Sequence, residues 1–251
     1  MSGISAKDAV VFVTGANRGI GRAIAEEALA RGSKKVYAAA RDVSGVQDLV
    51  EQNPERVVAI QLDVTDSEQI DSAASRAQDV QILINNAGVA GYSGFIYHHD
   101  QQAAHREMAT NYFGPLNVTR ALAQAIVGNG NGAVANVVSI GGLSNLPIAA
   151  TYSASKAAAH SLTQGLRAEL ASQDVAVFGV YPGPIDTDMA AGMEVAKETP
   201  RNVAIRIFDQ MADGVEDITT DAFADEFVRN LKADTKAVER ETAQMAHQPP
   251  E

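Results

Sequence analysis

Six short apolar runs, separated by stretches with helical periodicity, constrain this chain more than any other feature. They are Val10–Val13, Val36–Ala39, Val57–Ile60, Ile82–Ile84, Ala133–Val138 and Val175–Val180. None alternates apolar with polar residues, so each reads as a strand buried on both faces, as parallel strands are. Helical patterns lie between them at about 20–31, 45–52, 67–77, 101–127 and 152–171. Thr65-Asp-Ser-Glu68 has the form of a capping box opening the third of these. Repeated strand–helix units with right-handed crossovers predict an α/β fold, a doubly wound parallel sheet with helices on both faces. Such sheets bind ligands at the carboxyl ends of their strands.

A chain of 251 residues, 46% hydrophobic, has material for one large core. There is no internal repeat and no linker, so residues 1–251 are expected to form a single domain. Residues 183–221 are punctuated by Met, acids and Gly and read as a mobile segment with a short helix. Ala222–Ala237 reads as the last helix, and His247–Glu251 is expected to fray. A net charge of -11 argues against nucleic acid as a partner. The absence of Cys excludes disulfide and thiolate chemistry. Met1–Asp8 lacks a signal-like apolar core, and no run approaches a membrane span. A cytoplasmic protein is therefore expected. His98 and His99 are adjacent without spaced carboxylates, so no metal site is expected.

Two clusters carry chemistry. Thr14-Gly15-Ala-Asn-Arg-Gly19-Ile-Gly21 joins the first strand to the first helix. Glycines permit a tight turn and close approach of a ligand, and the helix offers free N–H groups to a pyrophosphate. No Gly-Lys-Ser/Thr ending follows, which disfavours a nucleoside triphosphate loop. The second cluster is Tyr152-Ser-Ala-Ser-Lys156, with Ser139 upstream. Positions i and i+4 share a helix face, so phenol and ammonium reach one volume. A fixed positive charge there is expected to lower the phenol pKa towards working pH and make a general acid–base.

With these motifs the chain resembles the short-chain dehydrogenase/reductase family over roughly residues 8–190. The carriers are Thr14-Gly15-x3-Gly19-x-Gly21, Asp63-Val64, Asn85-Asn86-Ala87-Gly88, Asn111, Ser139, Tyr152-x3-Lys156 and Pro182-Gly183. The resemblance implies a Rossmann-type sheet of six or seven strands, order 3-2-1-4-5-6, and NAD(P)-dependent oxidoreduction of a carbonyl/alcohol pair. It implies that Tyr152 protonates the carbonyl oxygen and that Ser139 hydrogen-bonds it. Lys156 would lower the Tyr pKa and bind the nicotinamide ribose, and Asn111 would hold a water in a proton relay. Gly15, Asn17, Arg18, Gly19, Ile20, Gly21, Asn86, Ala87, Gly88, Pro182 and Gly183 would surround the dinucleotide. Asp63-Val64 would meet the adenine, and Thr187 the nicotinamide carboxamide. Asp63 also reads as a helix cap, Ser139 as a turn residue and Asn111 as a locally bonded helix residue.

Ala40 stands where NAD readers place an acid, and Arg41 follows it. Arg41 with Arg18 can flank a 2′-phosphate, so NADP(H) is favoured over NAD(H). Asp42 is the rival ribose reader if the alignment slips by one. Gly91–His99, Leu143, Leu146, Tyr181 and Met189 are candidates for the substrate wall or for plain core. The partner expected is a small, fairly apolar ketone, aldehyde or alcohol. The run Ser153, Ala154, Ser155, Ala157, Ala158, Ala159 suits close packing of helices in a homodimer or homotetramer, or simply good helix propensity. Ile218-Thr-Thr220 leads into a helix instead of a Gly-rich tail, which argues against a seventh strand and a tetramer contact built on it. A non-catalytic dinucleotide sensor on the same fold is the competing class; the intact set Asn111, Ser139, Tyr152 and Lys156 speaks against it. An epimerase or dehydratase would add a sugar-nucleotide domain, which is not seen.

Overall fold

The computed structural model of the chain describes residues 3–97, 100–192 and 194–246. His98, His99 and the 247–251 ending lie outside the described residues. Seven parallel strands form one sheet: β1 (Val10–Thr14), β2 (Lys35–Ala40), β3 (Val57–Gln61), β4 (Ile82–Asn85), β5 (Ala133–Val137), β6 (Ala176–Tyr181) and β7 (Asp217–Thr219). Their order is β3-β2-β1-β4-β5-β6-β7. The helices are α1 (Gly19–Ala30), α2 (Gln47–Gln52), α3 (Ser67–Arg76), α4 (Ala103–Met108), α5 (Gly114–Gly128), α6 (Ala150–Leu170), α7 (Pro200–Ala212), α8 (Ala222–Ala233) and α9 (Thr235–Ala243). This is the doubly wound Rossmann-type sheet expected. The sheet reverses direction of growth between β1 and β4, where Val13 pairs with Ala38 on one side and Ile84 on the other.

Alternation along β1 divides the core. Val11 and Val13 face one layer with Ile24, Phe178, Phe208 and Met211. Phe12 faces the other with Leu83, Leu122, Ile126 and Leu166. No described helix is long and apolar enough to cross a membrane.

The structure corrects the sequence reading in several places. β7 exists, although only three residues long; Ile218 is fully buried at its centre and pairs with Val180. Burying one such side chain contributes about 1.5–3 kcal/mol, enough to seat a short edge strand. The cap of α3 is Asp66, not Thr65: its carboxylate accepts from the N–H groups of Glu68 and Gln69. The helix expected over 101–127 is interrupted by a π turn at Ala109–Phe113. Pro115 explains the break, because it has no N–H to donate to the Asn111 carbonyl four residues back. The last helix stops at Asp234, whose carboxylate caps α9 through Lys236 and Ala237 N–H. Within the segment expected to be mobile, α7 is thirteen residues long and buries Val203, Ile207, Phe208 and Met211.

Candidate active site

A cleft of about 1740 Å³ runs along the carboxyl ends of the strands. Its floor begins at the turn between β1 and α1. Gly15 and Gly19 have φ of 67° and 55°, the left-handed region that suits glycine. A Cβ on Gly21 would lie 2.2 Å from the Gly15 carbonyl oxygen, so only glycine lets α1 leave the strand so tightly. Asn86 braces the turn, donating from Nδ2 to the Thr14 carbonyl at 3.0 Å. Thr14 Oγ1 accepts in turn from Asn86 and Ala87 N–H. Arg18 precedes α1 without a side-chain cap, so the first-turn N–H groups of the helix stay available. A close-approach glycine cradle, an uncapped helix N-terminus and the lining by Gly15, Asn17, Gly19 and Ile20 fit a dinucleotide pyrophosphate.

The reacting groups gather at the ends of β4 and β5. Asn85 Nδ2 donates to Thr119 Oγ1 and Asn136 Oδ1, and Asn136 Nδ2 donates to Thr163 Oγ1. This buried polar chain ties β4, β5, α5 and α6 together beneath the site. Ser139 follows β5, its Oγ accepting from Gly141 N–H at 3.1 Å. Tyr152 and Lys156 project from one face of α6. Lys156 Nζ donates to the Val137 carbonyl at 2.8 Å. Asn111 is fully buried in the π turn and clasps Val89, Oδ1 accepting from its N–H and Nδ2 donating to its carbonyl, each at 2.9 Å. Nδ2 also donates to Ser155 Oγ at 2.9 Å. A Cβ on Gly88 would sit 3.2 Å from Asn111 Oδ1 and 3.5 Å from Lys156 Nζ, so the two meet at that glycine.

The electrostatics differ from the sequence expectation. Burial pushes the Tyr152 phenol up to about 12; the Ser139 hydroxyl opposes this, and Tyr92 and Glu107 add to it. Burial pushes the Lys156 ammonium down to about 8. Lys156 is aimed at a strand-end carbonyl and stands 5.7 Å from the Tyr152 ring centroid. Desolvation is the largest cause at both groups, so the phenol is raised where the sequence predicts a lowering, and the ammonium is lowered.

Most residues expected at the site line the cleft: Gly15, Asn17, Arg18, Gly19, Ile20, Arg41, Asp63, Val64, Asn86, Ala87, Gly88, Ser139, Tyr152, Lys156, Pro182, Gly183 and Thr187. Gly21 and Asn111 do not; they are buried just behind it. Arg41 is exposed on the rim after Ala40 and makes no ion pair among the described residues. Asp42 turns back to accept from Ser44 N–H at 2.9 Å. Asp63 Oδ1 accepts from the N–H and hydroxyl of Thr65. Arg18, expected to help Arg41, pairs with Asp188 at 2.7 Å. Of the candidate wall residues, Leu146 and Met189 line the cleft with Tyr92. Tyr181 and Leu143 instead pack in a separate cluster with Val138, Ile140 and Ala159.

Sequence reasoning missed three residues. Asp221 is buried and accepts from Gly183 N–H at 2.8 Å and Ala224 N–H at 2.8 Å, fixing the Pro182-Gly183 turn to α8. Glu107 is buried on the face of α4 that continues to Asn111, a spacing of four that was readable. Asp188 offered no local signal, because its partner Arg18 is distant in sequence; Tyr92 lies within the Gly91–His99 run expected at the wall, but its bond to the Met189 carbonyl was not foreseen.

The sequence matches the short chain dehydrogenase family over residues 9–198. It is 35% identical over 202 residues to dehydrogenase/reductase SDR family member 7B of Xenopus tropicalis, covering 75% of this chain and 65% of that protein. The chain thus spans less than two thirds of that relative's length, and 62% of its Xenopus laevis counterpart. An uncharacterized oxidoreductase of Staphylococcus saprophyticus is 32% identical over 212 residues, 80% of this chain and 90% of its own. A short chain dehydrogenase from Burkholderia cenocepacia, solved in complex with NADP, superposes with a TM-score of 0.90 at 40% identity, covering 95% of this chain and 99% of that one.

Proposed function

The chain belongs to the short-chain dehydrogenase/reductase family, and from that premise we propose that it is an NADPH-dependent oxidoreductase interconverting a ketone or aldehyde and an alcohol, with Tyr152 as general acid–base. The observation that carries this reading is the meeting of Ser139, Tyr152 and Lys156 in one cleft with the glycine cradle, backed by Asn111. The bound nicotinamide supplies the hydride. As negative charge develops on the carbonyl oxygen, the Tyr152 hydroxyl gives it a proton and the Ser139 hydroxyl donates a second bond. A phenol pushed up to about 12 is fully protonated at neutral pH, the form that reduction needs. Lys156 places a positive charge beside the phenolate that remains, and Asn111 holds the Val89 and Ser155 neighbourhood rigid behind it.

Preference for NADP(H) follows from the end of β2. Ala40 offers no acid, Arg41 is exposed beside it, and Asp42 is engaged by its own turn. The NADP complex of the Burkholderia cenocepacia relative agrees with this preference. A homodimer, or a homotetramer built on one, fits half-exposed Phe113 in the π turn and exposed Ala154 and Ala157 on α6. Ser153, Ser155 and Ala159 of the same run are used inside the subunit. A cytoplasmic compartment suits a chain without cysteine.

A panel of ketones, aldehydes and alcohols, each followed by nicotinamide absorbance with NADPH or NADH and the oxidised forms, tests the proposal. Dinucleotide binding without turnover on any of them would favour a sensor instead.

A further inference from the structure

Tyr92 has a left-handed backbone, with φ of 49°. Residues with a Cβ adopt that region at a cost, and keep it only where the surroundings over-determine it. Here both neighbours are fastened. Gly91 N–H donates to Glu107 Oε1 at 2.6 Å. The Ser93 carbonyl accepts from Thr151 N–H at 3.2 Å, on the first turn of α6 and adjacent to Tyr152. Ser93 Oγ accepts from Asp100 N–H at 3.0 Å. Glu107 and Ser93 are both fully buried, so α4 and α6 form a pedestal for the strained residue.

From that pedestal the Tyr92 side chain reaches Met189, and both residues line the cleft. The Tyr92 hydroxyl donates to the main-chain carbonyl of Met189. Met189 lies in the turn Asp188–Ala190, whose other end is held at the phosphate loop. There Asp188 pairs with Arg18 at 2.7 Å, and the Thr187 methyl lies 3.1 Å from where a Gly19 Cβ would be. The short segment 187–190 is therefore a strap tied down at both ends, one tie being a phenol beside the reacting phenol. Tyr92 is near enough to Tyr152 to raise its proton affinity.

We propose that Tyr92 is a specificity-determining residue: its phenol clasps Met189 over the substrate end of the cleft and restricts access to Tyr152 to small carbonyl compounds. The proposal rests on the oxidoreductase reading above. It assigns the ring a size limit and the hydroxyl a closing contact, which two variants separate. Tyr92→Phe keeps the ring and deletes the clasp; Tyr92→Ala deletes both.

The experiment has two arms on the purified full chain. The first compares kcat/KM for a bulky aryl ketone and a small alkyl ketone. The expected result is a bulky-to-small ratio raised roughly tenfold in Tyr92→Ala, a size typical of pocket discrimination, with dinucleotide affinity unchanged. The second measures hydrogen exchange of residues 187–192 in wild type and Tyr92→Phe, and faster exchange is expected in the variant. Turnover with an unchanged ratio in Tyr92→Ala overturns the proposal, as does unchanged exchange in Tyr92→Phe. Absence of turnover in the wild type overturns the parent reading and this proposal together.

Discussion

Lys156 Nζ stands 5.7 Å from the centroid of the Tyr152 ring and gives its hydrogen bond to the Val137 carbonyl at 2.8 Å. The pair shares a helix face but not a direct bond, and burial sets the proton affinity of each. The phenol goes up to about 12 and the ammonium down to about 8.

The buried ammonium makes a stability prediction. The native state holds the Lys156 proton less tightly than the unfolded chain, whose value is 10.5. Below pH 8 both states are charged and the desolvation cost is fully present; between about 8 and 10.5 the native state sheds its proton and the cost fades. Lys156→Met, which keeps the volume and removes the charge, is expected to stabilise the fold at neutral pH by about 1–3 kcal/mol. It should also abolish carbonyl reduction. Denaturant melts at pH 7 and above the native Lys156 value check the sign: the gain shrinks as pH rises. In the wild type, carbonyl reduction should decline as pH passes through about 8, where Lys156 loses its charge.

Arg41 sets the cofactor prediction. A charge-assisted bond to a 2′-phosphate contributes roughly 1.5–3 kcal/mol, about ten- to a hundredfold in affinity. Arg41→Ala should raise the Michaelis constant for NADPH by that factor and leave the constant for NADH nearly unchanged. Adding Ala40→Asp should move preference towards NADH. Equal weakening of both cofactors would hand the ribose to Asp42 instead.

Gly21 tests the phosphate turn. A methyl group there meets the Gly15 carbonyl oxygen at 2.2 Å and Asn86 Nδ2 at 2.3 Å, both inside contact distance. Gly21→Ala is expected to destabilise the fold by about 1–3 kcal/mol, as overpacking does. It should weaken both dinucleotides alike, because the displaced turn serves the part they share. Thermal melts and dinucleotide titration read the two effects separately.

Much of this architecture was readable from the chain. Six strands were found to within one or two residues, because buried parallel strands leave unbroken apolar runs such as Val10–Val13. β7 was not, since Ile218 is the one buried apolar residue in a three-residue strand. The break at Asn111 was hidden by helical periodicity on both sides, although Pro115 carried the signal. The spacing of Tyr152 and Lys156 told which groups meet, but not how dry their surroundings are, and dryness decides both proton affinities. The Arg18–Asp188 and Tyr92–Met189 contacts join segments 170 and 97 residues apart, beyond the reach of any local pattern.

Tyr152→Phe tests the central claim most directly. Phe preserves the ring and its packing on α6 while deleting the one proton that the carbonyl oxygen is proposed to receive. Dinucleotide affinity and melting temperature should stay close to wild type, and kcat for carbonyl reduction should fall by orders of magnitude. Turnover near the wild-type rate, with the cofactor bound as before, would contradict the assignment of Tyr152 as the acid.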